Sequence, residues 1–111
     1  LPAQARSMFR AFKAKYPDSR LNVNVAYWMA ESRFMDGEHV KAVDEFLSVA
    51  ESYPRSMKAA DAMLRVAQIW QQRGDDKRAI KIFTKVKDKY PNSDAAKLAD
   101  VALTSYDKKA K

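Results

Sequence analysis

Apolar residues return along this chain at intervals of three and four, in short blocks closed alternately by a glycine and by a Tyr-Pro pair. Between Ser19 and Gly37 they fall at Leu21, Val25, Trp28, Met29 and Met35, with Val23, Ala26, Ala30 and Phe34 beside them. That spacing is the stripe of an amphipathic helix. After Gly37 a second run, Val40, Val43, Phe46, Leu47 and Ala50, continues until Tyr53-Pro54. The next block repeats the plan with Met57, Ala60, Met63, Leu64, Ala67 and Trp70, then Gly74, then Ala79, Ile80, Phe83 and Val86. Residues 3–15 read as the second helix of a unit whose first helix is absent. Residues 93–108 read as a terminal helix with polar Lys97, Asp100 and Ser105. The pattern predicts an all-α chain of six helices arranged as hairpins.

The blocks are copies of one unit. Tyr-Pro-x-Ser occurs at Tyr16–Ser19, Tyr53–Ser56 and Tyr90–Ser93, at intervals of 37 residues, and Gly37 and Gly74 are also 37 apart. A period of about 20 to 50 residues marks stacked supersecondary units, none able to bury its apolar face alone. In phase, Ala5, Ala42 and Ala79 share a column, as do Phe9, Phe46 and Phe83, and Phe12, Val49 and Val86. The small residue lets two backbones approach; the aromatic one turn later fills the space between hairpins. Pro17, Pro54 and Pro91 lack an amide hydrogen and disfavour a helical residue before them, so each ends a helix nearby. Ser19, Ser56 and Ser93 suit the N-cap of the helix that follows. Gly37 and Gly74 suit the left-handed residue that closes a helix, with Glu38, Asp75 and Asp76 favouring the positive end of the next. One domain over residues 1–111 follows, divided into a partial unit 1–18, units 19–55 and 56–92, and the terminal helix 93–111.

The order Gly37, Ala42, Phe46, Pro54, repeated as Gly74, Ala79, Phe83, Pro91, resembles the tetratricopeptide repeat, with small Ala30 and Ala67 at a position where that family wants one. The unit is longer than the family's usual length of about 34 residues, and the excess falls near the Tyr-Pro-x-Ser turn. The resemblance implies a right-handed superhelical array of antiparallel helix hairpins, first helices lining a concave inner wall. On that frame Asn24, Tyr27, Glu31 and Phe34, then Asp61, Arg65, Gln68 and Gln72, point inward as a partner-binding set. Asn, Gln and Arg can bond a peptide backbone, and the aromatic rings give apolar contact at low entropy cost. The alternative is that Tyr27, Trp28 and Phe34 pack between hairpins; Trp70 is expected in the core. The Lys/Asn/Arg clamp by which some members hold a terminal carboxylate is missing, its columns being occupied by Tyr27, Glu31 and Asp61, with only Arg65 of the right type.

Composition narrows the function. The absence of cysteine excludes disulfides, thiolate metal sites and a thiol nucleophile. No apolar run approaches the roughly 18 residues of a spanning helix. The start at Leu1 lacks an initiator Met and a signal-peptide pattern, so the chain is expected to be a piece of a longer protein. The net charge of +7 is unevenly placed: residues 22–56 carry three basic and six acidic side chains, residues 57–91 nine and four. Lys77, Lys81, Lys85 and Lys89, helped by Arg78, form a basic stripe on an outer helix, either a solvated face or a docking strip for an acidic protein, a lipid headgroup or nucleic acid. No aromatic-studded basic loop supports nucleic acid. His39, the only histidine, is expected to face solvent. Asp44-Glu45 and Asp75-Asp76 are sequence neighbours and splay apart on a helix. No catalytic group, metal or cofactor is expected.

Val25-Ala26-Tyr27-Trp28-Met29-Ala30-Glu31, Asp36-Gly37 and Tyr53-Pro54-Arg55-Ser56-Met57-Lys58-Ala59-Ala60-Asp61-Ala62-Met63 resemble the C-terminal repeat domains of the CpoB/YbgF family, as do Phe12–Ser19 and Tyr90–Lys97. That resemblance implies a periplasmic, non-catalytic scaffold of the Tol-Pal system with a trimerising coiled coil upstream. It also implies TolA-like or peptidoglycan-synthase-like partners and a role coupling wall synthesis to envelope constriction at division. A similar turn style in BamD-like assembly lipoproteins leaves another envelope scaffold open, and the lysine stripe leaves a basic module for nucleic acid or anionic lipid.

Overall fold

A computed structural model of the protein describes residues 2–110. Six helices follow one another: α1 (Pro2–Lys15), α2 (Asn22–Met35), α3 (His39–Ser52), α4 (Met57–Gln72), α5 (Asp76–Lys89) and α6 (Asp94–Ala110). No strand occurs among the described residues.

The two glycines close their helices as the spacing predicts. Gly37 and Gly74 have φ of 82° and 79°, a region costly for residues with a Cβ. The amide of Gly37 donates to Phe34 O and that of Glu38 to Arg33 O; Gly74 and Asp75 repeat the pair on Gln71 O and Trp70 O. This crossed pair occupies carbonyls that a helix end leaves free. The Tyr-Pro turns recur just as closely. In each, the Tyr amide donates one turn back, to Phe12, Val49 or Val86, and the Ser amide donates to the Tyr carbonyl.

One cap departs from expectation. Ser56 accepts from the Lys58 amide at 3.1 Å and Ser93 from the Ala96 amide at 3.0 Å, each immediately before its helix. Ser19 accepts only from the Leu21 amide, and α2 begins at Asn22 without a side-chain cap. The cause is Asn22 itself. Its buried amide donates to Tyr16 O at 2.9 Å and Pro17 O at 2.7 Å, tying the preceding turn down where the other units carry Ala59 and Ala96.

The helices stack into a slab of 52 × 29 × 16 Å. Each touches its sequence neighbours; in addition α2 touches α4 and α4 touches α6, whereas α1, α3 and α5 do not meet one another. First helices therefore crowd together and second helices splay, which makes the α2–α4–α6 side the inner wall. Between the layers lie two apolar clusters, one around Phe46, Val66 and Ile69, the other around Phe83, Leu64 and Ala99. Ala42 and Ala79 are fully buried, and Phe46 and Phe83 are sealed beside them, as the columns predict. In α1 the same columns hold half-buried Ala5, Phe9 and Phe12, with Met8 exposed.

The phase of α2 needs correction. Leu21, Trp28 and Met35 of its leading apolar stripe are exposed, while Val23, Ala26, Tyr27, Ala30 and Phe34 meet the core. Apolar residues run around most of this helix, so periodicity alone does not select the buried side. Met57 and Val40 are likewise exposed, and Ile80 is marginally so.

Candidate functional site

Helices α2 and α4 run side by side and bring most of the predicted inward residues into one network. The Arg65 guanidinium donates from Nε to Glu31 Oε1 and reaches Gln68 Oε1 at 3.5 Å. Its Cζ also lies 4.7 Å from the Phe34 ring centre, a cation over an aromatic face. Tyr27 packs edge-on against Phe46 at 5.3 Å and holds the Lys58 ammonium 4.6 Å from its ring centre. Burial pushes the Tyr27 phenol up to about 12; Glu31 and Asp61 add to the rise and Arg65 opposes it. Asn24 and Asp61 are half-buried on the same helices, and Gln72 is exposed at the end of α4.

This arrangement divides the predicted set. Tyr27 and Phe34 are half-buried against the first apolar cluster, so they support the wall more than they present it. Trp28 does the reverse of packing between hairpins: 52% of it is exposed, edge-on to Tyr27 at 5.6 Å and 5.9 Å from the Lys58 ammonium. An exposed indole on a rigid helix, beside a cation and a neutralised Arg–Glu pair, is the kind of anchor that dominates protein interfaces. The repeat held the signal for it: Trp28 lies 37 residues before Arg65, an assigned inward position. Trp70 is half-buried, touches both clusters and lies under the Arg78 guanidinium at 4.7 Å.

His39 is another correction. It is half-buried, its imidazole stacked on Phe34 at 4.7 Å and 19°, because the helix-closing glycine turns α3 back over the end of α2. Sequence reading also missed Arg6, buried on α1, which reaches Ser32 O and Asp36 Oδ2 at 3.4 Å each. One of two arginines on α1, Arg6 gives no hint in sequence that a neighbouring helix end will cover it.

The lysine stripe lies open on the outer helix α5. Lys77, Lys81, Lys85 and Lys89 are all exposed, and none is in an ion pair among the described residues. Arg78 does not extend it, being paired with Asp75 at 3.2 Å and laid over Trp70. Among the described residues no group of three His, Asp or Glu could hold a metal ion, and no helix is long and apolar enough to cross a membrane.

The sequence profile of the tetratricopeptide repeat matches residues 2–19, 25–56 and 61–93, well over half of the chain. The chain belongs to the tetratricopeptide repeat family. Among curated proteins none matches it in sequence. Tetratricopeptide repeats are protein-interaction modules, and the stacked, curved geometry that gives such arrays their extended binding surfaces is the one described above.

Proposed function

We propose that this tetratricopeptide repeat array is a non-catalytic scaffold that captures a segment of a partner protein on the α2–α4 wall. Exposed Trp28 is the observation that carries the reading, with Lys58, Glu31, Arg65 and Gln68 supplying polar contacts around it. The Glu31–Arg65 pair satisfies itself, so the wall presents little net charge, and recognition rests on the aromatic anchor and directed hydrogen bonds.

We further infer a periplasmic module of the CpoB/YbgF type, linking envelope constriction to peptidoglycan synthesis at division through TolA-like or peptidoglycan-synthase-like partners. The turn sequences Tyr53–Met63 and Tyr90–Lys97 support this. Trp28→Ala should weaken binding of a TolA-like domain by about tenfold or more in calorimetry, with an unchanged unfolding midpoint, because an exposed side chain contributes little to folding. Unchanged affinity for a domain that does bind removes the wall. No binding by either TolA-like or synthase-like domains removes the CpoB/YbgF assignment and leaves the wall to be tested on another partner.

A further inference from the structure

The outer layer carries a second surface that the inner wall does not use. Because α3 and α5 splay apart, a cleft of about 480 Å³ opens between them. Leu47, Ala50 and Met63 form its apolar part; Glu51 stands on the α3 side and Lys85, Asp88 and Lys89 on the α5 side. Lys85 and Lys89 are also the last two members of the stripe that begins at Lys77. Elsewhere on α5 the cations are used internally: Arg78 pairs with Asp75, and Lys87 donates to Asp100 at 2.7 Å. The stripe is what remains uncompensated. It rises by about 6 Å for each four-residue step, the spacing of carboxylates four apart on a second helix.

We propose that this outer face docks an acidic amphipathic helix of a partner protein, its carboxylates along the lysine stripe and one bulky apolar side chain in the α3–α5 cleft. The mixed lining of the cleft selects this occupant. A bilayer surface or a nucleic-acid backbone presents continuous negative charge, which Glu51 and Asp88 repel at this apolar opening beside the stripe. A helix can place its carboxylates on one flank and leave the other neutral. Glu51 then acts as a repulsive element fixing which way the helix lies, since the reversed orientation brings an acidic flank onto it.

A designed helical peptide, fluorescently labelled, with Glu at every fourth position on one flank and a single Leu beside them, is the probe for binding by anisotropy. A peptide of the same composition with scattered Glu is its control. The ordered peptide should bind more tightly than the scattered one, and its affinity should fall between about 50 and 200 mM salt. Lys81→Glu with Lys85→Glu should weaken it by about tenfold or more, and Glu51→Gln should tighten it by about two- to threefold. Leu47→Ala should also weaken it; where that variant lowers the unfolding midpoint, Glu51→Gln carries the test of the cleft, because it removes nothing from the core. Equal binding of the two peptides, or no response to the lysine reversals, overturns the proposal. Binding of phosphatidylglycerol vesicles or an oligothymidine that depends on the same lysines, without binding of the ordered peptide, overturns it in favour of an anionic surface.

Discussion

In the hairpin α2–α3 the Arg33 guanidinium donates to Glu45 at 2.9 Å and to Glu38 at 3.0 Å; 37 residues later the corresponding positions of α4–α5 hold Trp70 and Ile82, packed on apolar core. The acid at the helix junction changes task accordingly. Glu38 serves Arg33 and makes no cap, whereas Asp75, with no arginine at position 70, accepts from the Arg78 amide and caps α5. The backbone does not register the difference. Tyr53 and Tyr90, which end the two hairpins, have φ,ψ of −131°, 57° and −128°, 58°. A repeat therefore constrains turns and small-residue contacts, while a facing pair of side chains can be ionic in one copy and apolar in the next, provided both members change together.

The largest effects test the part that the hairpins share. Phe46 and Phe83 are equally sealed, so alanine at either should cost about 3 to 5 kcal/mol in urea unfolding. A cost at one position less than half that at the other would break the equivalence of the two copies.

The next test concerns the part they do not share. Arg33→Ala leaves the Glu45 carboxylate partly buried, with Oε2 already unpartnered, and should cost about 1 to 3 kcal/mol. Writing the second hairpin's pair into the first, as Arg33→Trp with Glu45→Ile, should recover most of that loss, because complementary apolar packing commonly replaces an ion pair without penalty. No recovery would show that the surroundings of α2–α3 are built for charge. Acid sharpens the same contrast. Desolvation opposes ionisation of Glu38, but Lys41, Arg33 and Arg6 outweigh it and hold the carboxyl below its usual range. A depressed carboxyl contributes stability above its unfolded pKa and loses it as pH falls through the folded one. Amide protection, taken relative to the intrinsic exchange rate at each pH, should therefore fall in α2–α3 before α4–α5 as pH drops from about 6 into the carboxylate range.

The same contrast explains what could be read from sequence. Glycine, Tyr-Pro and the Ala/Phe columns speak through backbone conformation and close packing, which depend on one residue at a time, and they placed the helices and the buried Phe46 and Phe83. In α4 the polar and apolar faces separate, and Ala60, Met63, Leu64 and Ala67 were legible as core. In α2 apolar residues surround the helix, so the exposed side of Trp28 and Met35 could be chosen only by comparison with Arg65 and Gln72 of the next copy. Arg6, Asn22 and the His39–Phe34 stack were not legible, because each depends on a partner supplied by another element or turn.

The smallest predicted effects concern the turns. Ser56 caps the first turn of α4, so Ser56→Ala should cost about 1 kcal/mol. Ser93→Ala should cost as much, since its hydroxyl accepts from Ala96 and donates to Tyr90 O at 2.7 Å. Ser19 accepts a single bond from Leu21 ahead of the helix, in an exposed turn, and its replacement by alanine should cost less than half of either. The load there has passed to Asn22, whose loss would take the side-chain donor from Pro17 O and leave Tyr16 O with the Ser19 amide alone. Asn22→Ala should therefore exceed Ser19→Ala in thermal unfolding, even though alanine is the residue the other two copies carry at that position. A Ser19 effect equal to that of Ser56 would mean that α2 starts as α4 does, with Asn22 a passenger.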